Sequence, residues 1–289
     1  MLWAFKKLAR KLFRRSRPEA PPAPVLLSQI DESFRRRKAE KLRRIRPLLR
    51  TDMPCQQTEL FYDYLTDELR EAFHIVDTAN VSRHGYDEIS QSLIAQHRNG
   101  LILDCGAGSR SVYHDNVVNF EICAYESTDV RGVGERLPFR DGAFDAAVSL
   151  NVLEHVRDPF ACAREIARTM KPGAVLYCVV PFLQSLHGYP HHYYNMTHQG
   201  LRSLFERDLL IEKQDVIHSG LPIWTLTSLL QRWAGALPLA ARIRFQNMRV
   251  GDLMDNPLTY LHRSFVTRLP VEMNFELAST TALIARKAA

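Results

Sequence analysis

The sequence lacks a long apolar run and lacks paired cysteines. Across its 289 residues no uninterrupted apolar stretch reaches the ~18–20 residues of a membrane-spanning helix, and the apolar core of a secretory signal is missing too. The five cysteines form no C-x-x-C pair. This excludes a zinc ribbon and a disulfide framework and favours reduced, buried thiols. We therefore expect a cytoplasmic protein, at most peripheral on the inner face of a membrane.

The body of the chain lacks the positive charge of a nucleic-acid-binding domain. The net charge is +6, but residues 1–50 hold 16 Lys and Arg against 4 Asp and Glu, and the remainder holds 22 against 28. A nucleic-acid reader carries its positive patch on the folded domain, and no aromatic residue is interleaved between the basic residues of the run from Arg35 to Arg44 for base stacking. We expect no nucleic-acid partner. We divide the chain into a basic arm, 1–50, and a folded domain, 51–289.

The arm begins with a predicted basic amphipathic helix over residues 1–16. Phe5, Leu8, Ala9 and Leu12 recur at helical spacing, and six Lys and Arg occupy the opposite face. Such a helix suits an anionic membrane surface; an organelle-targeting peptide or a helix docked on a partner is the alternative. Residues 17–24 predict a stiff polyproline linker, and residues 25–50 a second basic helix that is solvated or faces headgroups.

Glycines after a short apolar run mark a candidate nucleotide site. Residues 101–104 have β-strand character, and Cys105-Gly106-Ala107-Gly108 follows. Glycines after a parallel strand let the backbone turn sharply and let a ligand approach it closely. The third glycine of the dinucleotide fingerprint is absent, because Ser111 stands in its place. The absence disfavours a nucleotide-linked dehydrogenase.

Further elements follow this turn in a regular order. A strand over residues 117–122 places Glu121 near its end, where an acid can accept both hydroxyls of a ribose. Asp158 and Pro159 begin a helix that runs to about residue 170, and Thr197 caps another through residue 205. The other predicted strands cover residues 144–150, 174–181, 209–216 and 275–285.

Four motifs together resemble the class I S-adenosylmethionine methyltransferases. They are Asp-x-Gly-x-Gly at 104–108, Leu-Pro-Phe before Phe-Asp at 137–145, Leu-Glu-His-Val at 153–156, and Lys-Pro-Gly at 171–173 before a strand. The resemblance covers roughly residues 80–287. It implies an α/β, Rossmann-like, seven-stranded, mostly parallel sheet with helices on both faces. Residues 219–273, which are apolar and helix-forming in large part, are predicted to form a helical insertion before the last strand, where many relatives have a simple hairpin. The resemblance also implies S-adenosylmethionine as the cofactor.

The same resemblance implies the residues that hold the cofactor. For the methionine portion they are Asp104, Cys105, Gly106, Ala107 and Gly108; for the ribose, Glu121 with Ile122; for the adenine, Val133, Gly134 and Glu135; for the sulfonium region, Leu150 and Asn151. Two positions depart from the family pattern. Arg110 stands where many relatives have a third glycine, and Val133 where many have an acid facing the adenine amine.

The methyl acceptor is expected at the loop after the strand that ends near residue 181, because ligands of open α/β sheets lie beyond the carboxyl ends of the strands. Residues 187–190 resemble a methyltransferase subgroup with a His-Gly-Tyr-Pro loop, in which an Asp often stands at the position of His192. An imidazole can accept a proton near neutral pH. The candidate catalytic residues are His187, His191 and His192, and the candidate acceptor-binding residues are His155, Tyr189, Tyr193 and Tyr194.

Alternatives remain open for this loop and for the insertion. A metal at His187 and His191 is disfavoured, since Gly188 and Pro190 oppose the helix that would align them, and we expect none. Plain structural packing of the loop is the other interpretation. The insertion is a lid over the acceptor, a membrane-facing shoulder or an inert packing element.

The sequence as a whole predicts a methyltransferase acting on a small-molecule, glycan or lipid-linked acceptor. The reaction would be a direct displacement with a His-assisted oxygen nucleophile. An anionic membrane surface is the partner expected for residues 1–50. A catalytically silent, methyltransferase-like scaffold recruited by its basic arm is the alternative.

Overall fold

The computed structural model describes residues 25–26, 32–76, 82–83, 85–188 and 191–277. The predicted helix over 1–16, the linker and Tyr189 lie outside the described residues. The chain divides into unit 1, comprising Met1–Val180 and Gly188–Glu212, and unit 2, comprising Pro181–His187 and Lys213–Ala289. Within the described ranges, no helix combines the length and the apolar character needed to cross a membrane.

Unit 1 contains a seven-stranded sheet and a two-stranded one. The strands are β1 (Val25–Leu26), β2 (Gln56–Gln57), β3 (Tyr62–Asp63), β4 (Ile102–Cys105), β5 (Val112–Tyr113), β6 (Val117–Glu121), β7 (Val130–Arg131), β8 (Phe144–Leu150) and β9 (Met170–Val179). The large sheet has the order β2-β3-β7-β6-β4-β8-β9, and only β2 and β3 pair antiparallel. Strands β1 and β5 pair separately. The predicted seven-stranded, mostly parallel, Rossmann-like sheet is confirmed.

Helices accompany the sheet in unit 1 and dominate unit 2. Unit 1 has α1 (Glu32–Ile45), α2 (Asp67–Phe73), α3 (Glu88–Gln96), α4 (Pro159–Thr169) and α5 (His198–Phe205); unit 2 has α6 (Pro222–Ala236), α7 (Leu239–Gln246), α8 (Ser264–Thr267) and α9 (Val271–Glu276). The side chains of Asp158 and Thr197 accept main-chain N–H groups at the starts of α4 and α5, as predicted. The predicted helical insertion is also confirmed.

The central strands are buried and end at one edge of the sheet. Every residue of β4 and β6 is buried, which is typical of parallel strands covered on both faces. Because β4, β6 and β8 are parallel neighbours, their last residues, Cys105, Glu121 and Leu150, lie at the same edge. This edge is where ligands of open α/β sheets bind.

One predicted strand is not part of this sheet, and another lies mostly outside the described residues. Residues 209–216 have irregular backbone, so the strand predicted there is wrong. Leu209 and Ile211 pack against the core without pairing, while Leu210 is fully exposed. Residues 275–276 belong to α9, and residues 278–285 of the predicted last strand lie outside the described residues. The seven-stranded sheet instead includes β2 and β3, which precede the glycine motif in the sequence.

The last strand of the sheet, β9, begins earlier than predicted. Met170 pairs with Phe144 and Val175 with Ala146, so four residues of β9 lie opposite a single residue of β8. Gly173 within this bulge has a φ of +79°, and the preceding proline has no N–H to donate to the ladder. The Lys-Pro-Gly motif therefore distorts the start of the strand as well as ending the helix.

Helix α1 packs against the sheet of unit 1. Lys38 and Lys41 are buried together with three apolar residues of the same helix, Phe34, Leu42 and Ile45. The two ammonium groups lie 3.3 and 2.6 Å from the carboxylate of Asp129. A solvated or headgroup-facing helix, as predicted, is therefore wrong for this face, because a buried carboxylate needs charged partners.

The thiols and the core of unit 2 complete the fold. All five cysteines are free thiols; Cys105 and Cys162 are buried, but Cys55 is exposed, contrary to the expected burial. Unit 2 packs α6, α7 and α8 around a small core in which Trp233 stacks on Phe245 at 5.9 Å. The indole N–H of Trp233 donates to the carbonyl of Phe265 at 2.7 Å.

Candidate functional site

The glycine-rich turn after β4 has the backbone that its sequence predicts. Gly106 and Gly108 have φ angles of +79° and +65°, a region that favours glycine. A Cβ at Gly106 would lie 2.5 Å from the methyl groups of Val152, and one at Gly108 would lie 2.7 Å from the carbonyl oxygen of Ser82. The turn is therefore formed as predicted and is contacted closely by Val152 and Ser82.

Asp104 is buried at the end of β4 and is held by two side chains that the sequence analysis did not assign to the site. The hydroxyl of Tyr86 donates to Asp104 Oδ2 at 2.5 Å, and Nε and Nη2 of Arg110 donate to the same oxygen at 2.9 and 2.8 Å. The Arg110 guanidinium also lies 4.2 Å from the centre of the Tyr86 ring. Asp104 Oδ1 is buried and accepts no hydrogen bond from the described residues.

Burial and the neighbouring carboxylate of Asp104 raise the pKa of Tyr86 well above its usual range, so this phenol stays protonated and donates. The sequence already showed that Arg110 stands where many relatives have a glycine. Tyr86 carried no signal, because only the fold brings it to Asp104.

Glu121, the last residue of β6, joins the turn to the loop that follows the strand. Its Oε2 accepts the N–H of Gly108 at 2.7 Å, and its Oε1 accepts the N–H groups of Ile122 and Cys123 at 2.9 and 3.3 Å. Burial raises the pKa of Glu121. A carboxylate offers about four lone pairs, so this one retains capacity for a further donor.

The predicted adenine side is packed rather than open. Val133 is buried in a cluster with Leu65 and Leu69. Glu135 accepts the main-chain N–H groups of Arg157 and Asp158 at 3.0 and 3.4 Å, and burial raises its pKa. Glu135 therefore has a structural role at the entrance to α4.

The residue that follows β8 has an uncommon backbone. Asn151 has a φ of +54° and donates its N–H to the carbonyl of Val179 at 2.9 Å. A positive φ is uncommon outside glycine, although asparagine tolerates it. The side chain of Asn151 is exposed, and Leu150 is half-buried.

These residues fit the predicted cofactor in their donor and acceptor chemistry. Asp104 Oδ1 is a buried acceptor that the described residues leave for an ammonium or hydroxyl donor. Glu121 retains capacity for a hydroxyl, and the two glycines present no Cβ. Val152 and Ser82 must move before a ligand reaches the backbone of the turn, since both already contact the space a Cβ would fill.

The loop that follows β9 and is expected to face the methyl acceptor, here called the acceptor loop, is hydrogen-bonded to the segment that follows β8. The N–H groups of Tyr193 and Tyr194 donate to the carbonyl of Glu154 at 2.7 and 3.3 Å. His155 Nδ1 donates to the carbonyl of His191 at 2.7 Å, and the rings of His155 and His192 lie 5.6 Å apart. Three of the predicted acceptor-side residues, His155, Tyr193 and Tyr194, are thus brought together with His191 and His192.

The ring hydrogen bonds indicate which histidine nitrogens can accept a proton. His191 Nε2 lies 2.7 Å from the carbonyl of His74, and His192 Nε2 lies 3.1 Å from the carbonyl of Tyr194. A carbonyl only accepts, so each Nε2 carries a hydrogen and each Nδ1 keeps its lone pair in the neutral ring. His187 belongs to unit 2, where its Nδ1 hydrogen-bonds to the carbonyl of Ser185 at 3.0 Å.

A cavity of about 630 Å³ opens beside this loop in unit 1, and the sequence analysis did not predict it. Its lining includes Phe73, Arg157, Phe160, Tyr194 and Leu204. The hydroxyl of Tyr194 donates to the carbonyl of Arg157 at 2.9 Å. Its volume is in the range of small-molecule sites, and it combines aromatic walls with an exposed guanidinium.

Comparison with known proteins identifies the central part of the sheet. Residues 103–178 match the methyltransferase domain family. An uncharacterized methyltransferase of Mycobacterium sp. (strain JLS) is 38% identical over 69 residues, which are 24% of this chain and 27% of the relative. An uncharacterized methyltransferase of Schizosaccharomyces pombe is 35% identical over 79 residues, 27% of this chain and 24% of the relative. The chain thus spans about a quarter of the length of these curated relatives.

Solved structures resemble the chain only loosely. A SAM-dependent methyltransferase from Thermotoga maritima aligns with 20% identity and a TM-score of 0.30, covering 40% of this chain and 68% of that one. A superposition of this quality supports no conclusion. The family match depends on residues 103–178, which contain β6, β8 and most of β4 and β9 together with the glycine turn and Glu121. Residues 103–178 thus match a methyltransferase domain, and the resemblance to class I S-adenosylmethionine methyltransferases that the motifs predicted is confirmed for this segment.

Proposed function

We propose that the protein transfers a methyl group from S-adenosylmethionine bound at the carboxyl ends of β4, β6 and β8. The observation that carries the proposal is the pair of buried acids, Asp104 and Glu121, on either side of a turn with two positive-φ glycines. Asp104 would accept the ammonium of the methionine portion and Glu121 a ribose hydroxyl. When bound, the cofactor supplies an electrophilic methyl group on a sulfonium.

The residues of the acceptor loop would orient the acceptor and take its proton. An oxygen nucleophile must lose a proton as it attacks. In the neutral ring, Nδ1 of His191 is free to accept it, because Nε2 donates to the carbonyl of His74. His155 would act by position, since it holds the main chain of His191.

The acceptor is proposed to be an organic molecule with an apolar part and an anionic group. The cavity beside Tyr194 supports this choice, because Phe73 and Phe160 offer apolar walls and Arg157 a cation, while the carboxylate of Asp158, which also lines the cavity, already accepts the N–H of Ala161. Small molecules, glycan precursors and lipid-linked groups are three classes of acceptor that all include molecules of this description. The basic residues of the segment 1–24 favour one that is presented at an anionic membrane surface.

A catalytically silent scaffold is the second candidate. The observation in its favour is that Val152 and Ser82 contact the glycine turn where the cofactor would approach. A scaffold of this kind would bind the cofactor weakly or without turnover. In an active methyltransferase, Val152 and Ser82 would have to move away from the glycine turn when the cofactor binds.

Titration calorimetry tests cofactor binding, which both candidates require. The full chain should bind S-adenosylmethionine and its demethylated product, and should not bind NAD. Glu121→Ala should weaken binding by ~1.5–3 kcal/mol, if Glu121 accepts a charge-assisted hydrogen bond. Glu206→Ala is the matched control, because Glu206 forms only an exposed i,i+4 pair with Arg202.

Turnover needs a separate measurement. Cell extract incubated with protein and methyl-labelled cofactor should yield a labelled organic-anion fraction. Tight cofactor binding without label transfer to any fraction would favour the scaffold. Absence of cofactor binding would contradict both candidates.

A further inference from the structure

Unit 2 exposes a cluster of large apolar side chains. Phe182 and Leu183, together with Ile223, Trp224 and Leu226 at the start of α6, are each between 49% and 60% exposed. The hydroxyl of Thr225 donates to the carbonyl of Leu183 at 2.8 Å. This hydrogen bond fastens the segment 181–187 to the first turn of α6, so the five side chains form one surface. We call it the apolar cap.

The side-chain donors within the apolar cap are already hydrogen-bonded. The indole Nε1 of Trp224 donates to the carbonyl of His218 at 3.1 Å, and the N–H of Trp224 donates to the carbonyl of Leu221 at 3.0 Å. Pro222 is the first residue of α6 and has no N–H to leave unpaired. Transfer of this surface from water to an apolar medium therefore costs no hydrogen bond at these groups.

The sequence around the apolar cap carries no formal charge. Neither residues 181–187 nor residues 216–231 contain an Asp, Glu, Lys or Arg. Exposed apolar patches of this kind mark interaction sites for proteins or membranes. A protein interface uses about one hydrogen bond per 100–200 Å², whereas the side-chain donors of the apolar cap are already occupied. This difference favours a lipid surface.

The rest of unit 2 supplies charge of the sign that anionic headgroups attract. Arg244, Arg263 and Arg268 are exposed, and none of the ion pairs found in the described part of unit 2 includes them. Two of them have an exposed apolar residue close by in the sequence: Ile243 directly precedes Arg244, and Leu261 stands two residues before Arg263. Arginine next to exposed aliphatic residues is typical of interfacial membrane binding.

We propose that the apolar cap enters the headgroup–acyl boundary of a phospholipid bilayer and holds the protein there. This surface is distinct from the predicted arm and does not depend on methyl transfer. The attraction of the arm to anionic lipid weakens as salt rises, because it is electrostatic. Burial of the apolar cap persists in high salt and in zwitterionic lipid, because it is driven by removal of apolar surface from water.

Cosedimentation of the full chain with phosphatidylcholine vesicles at high salt isolates the contribution of the apolar cap. The wild-type chain should bind. The double variant Ile223→Asp/Leu226→Asp should bind at least about tenfold more weakly, since charge in the acyl boundary is costly. Leu210→Asp is the matched control: Leu210 lies in unit 1 and is fully exposed, so this variant should bind like wild type. Unchanged thermal melting of each variant establishes that folding is intact.

Tryptophan fluorescence supplies a second measurement. Brominated lipids should quench the wild-type chain more than Trp224→Phe, since Trp224 would lie within reach of the acyl chains. Failure of wild type to bind phosphatidylcholine, or equal binding by wild type and the double variant, would overturn the proposal. A concentration-dependent dimer that the double variant abolishes would overturn it too and assign the surface to a second copy. None of these outcomes bears on cofactor binding.

Discussion

A chain that begins at Thr51 loses α1, whereas a chain that begins at Val25 keeps it. The turn after α1 and the helix itself bury Phe34, Leu42, Ile45 and Leu49. At about 1.5–3 kcal/mol for each large apolar side chain, their removal costs about 6–12 kcal/mol. The Thr51 chain should therefore be severely destabilised, although the charge pattern suggests that residues before 51 form a separate arm.

A second loss of folding stability in the Thr51 chain comes from Asp129. Deletion of α1 removes both ammonium groups from a carboxylate that is fully buried, and leaving a buried charge without its partner costs about 3–5 kcal/mol. The two contributions together match or exceed the total stability of a typical domain, about 5–15 kcal/mol. We expect the Thr51 chain not to fold.

Urea denaturation followed by circular dichroism measures the effect. The Val25 chain should unfold cooperatively, close to the full chain, and should still bind S-adenosylmethionine. Lys38→Met/Lys41→Met in the full chain tests the charge contribution alone, with Arg36→Met as the exposed control on the same helix. A cooperative Thr51 chain with the urea midpoint of the Val25 chain would refute the reasoning.

Three further predictions concern pH, access to the turn and proton transfer. Burial lowers the pKa of Lys41 from 10.5 to about 8; between these values the unfolded chain binds more protons, so the free energy of unfolding should rise with pH, by at most about 1.4 kcal/mol per pH unit. Lys41→Met should flatten this slope in urea titrations at pH 8–10, and an unchanged slope would contradict the assignment. Val152→Phe should abolish cofactor binding in calorimetry and Val152→Ala should retain it; equal affinities would mean that Val152 does not lie in the path. His191→Ala should lower turnover by ~10²–10⁴ with normal cofactor affinity, and full activity would remove His191 from proton transfer.

Elements with a strong local signal were predicted well. The strands at 102–105, 117–121 and 144–150 are short, mostly apolar segments, and the glycines after the first and the acid near the end of the second favour buried parallel strands. Helices α4 and α5 begin at side chains, Asp158 and Thr197, that cap them directly. In each case the information lies within a few neighbouring residues.

Elements decided by distant contacts were not predicted. Strands β2 and β3 are only two residues long, and nothing in the polar pair Gln56–Gln57 indicates a place in a sheet. Lys38 and Lys41 occupy the buried face of α1, and a charged side chain is assigned to solvent unless its partner, here Asp129, is known. Tyr86 is assigned to the site only through its contact with Asp104.

Glu121 shows why the candidate site and the fold must be tested together. Its carboxylate is the proposed ribose acceptor, and it also fastens Gly108 to Ile122 and Cys123. Glu121→Gln keeps one accepting oxygen and turns the other into a donor facing a main-chain N–H, so it breaks one side of this connection. A loss of cofactor affinity in this variant identifies ribose binding only when its melting temperature stays near that of wild type. If melting temperature and affinity fall together, the glycine turn itself has moved, and the ribose contact must be sought with a variant that leaves the turn in place.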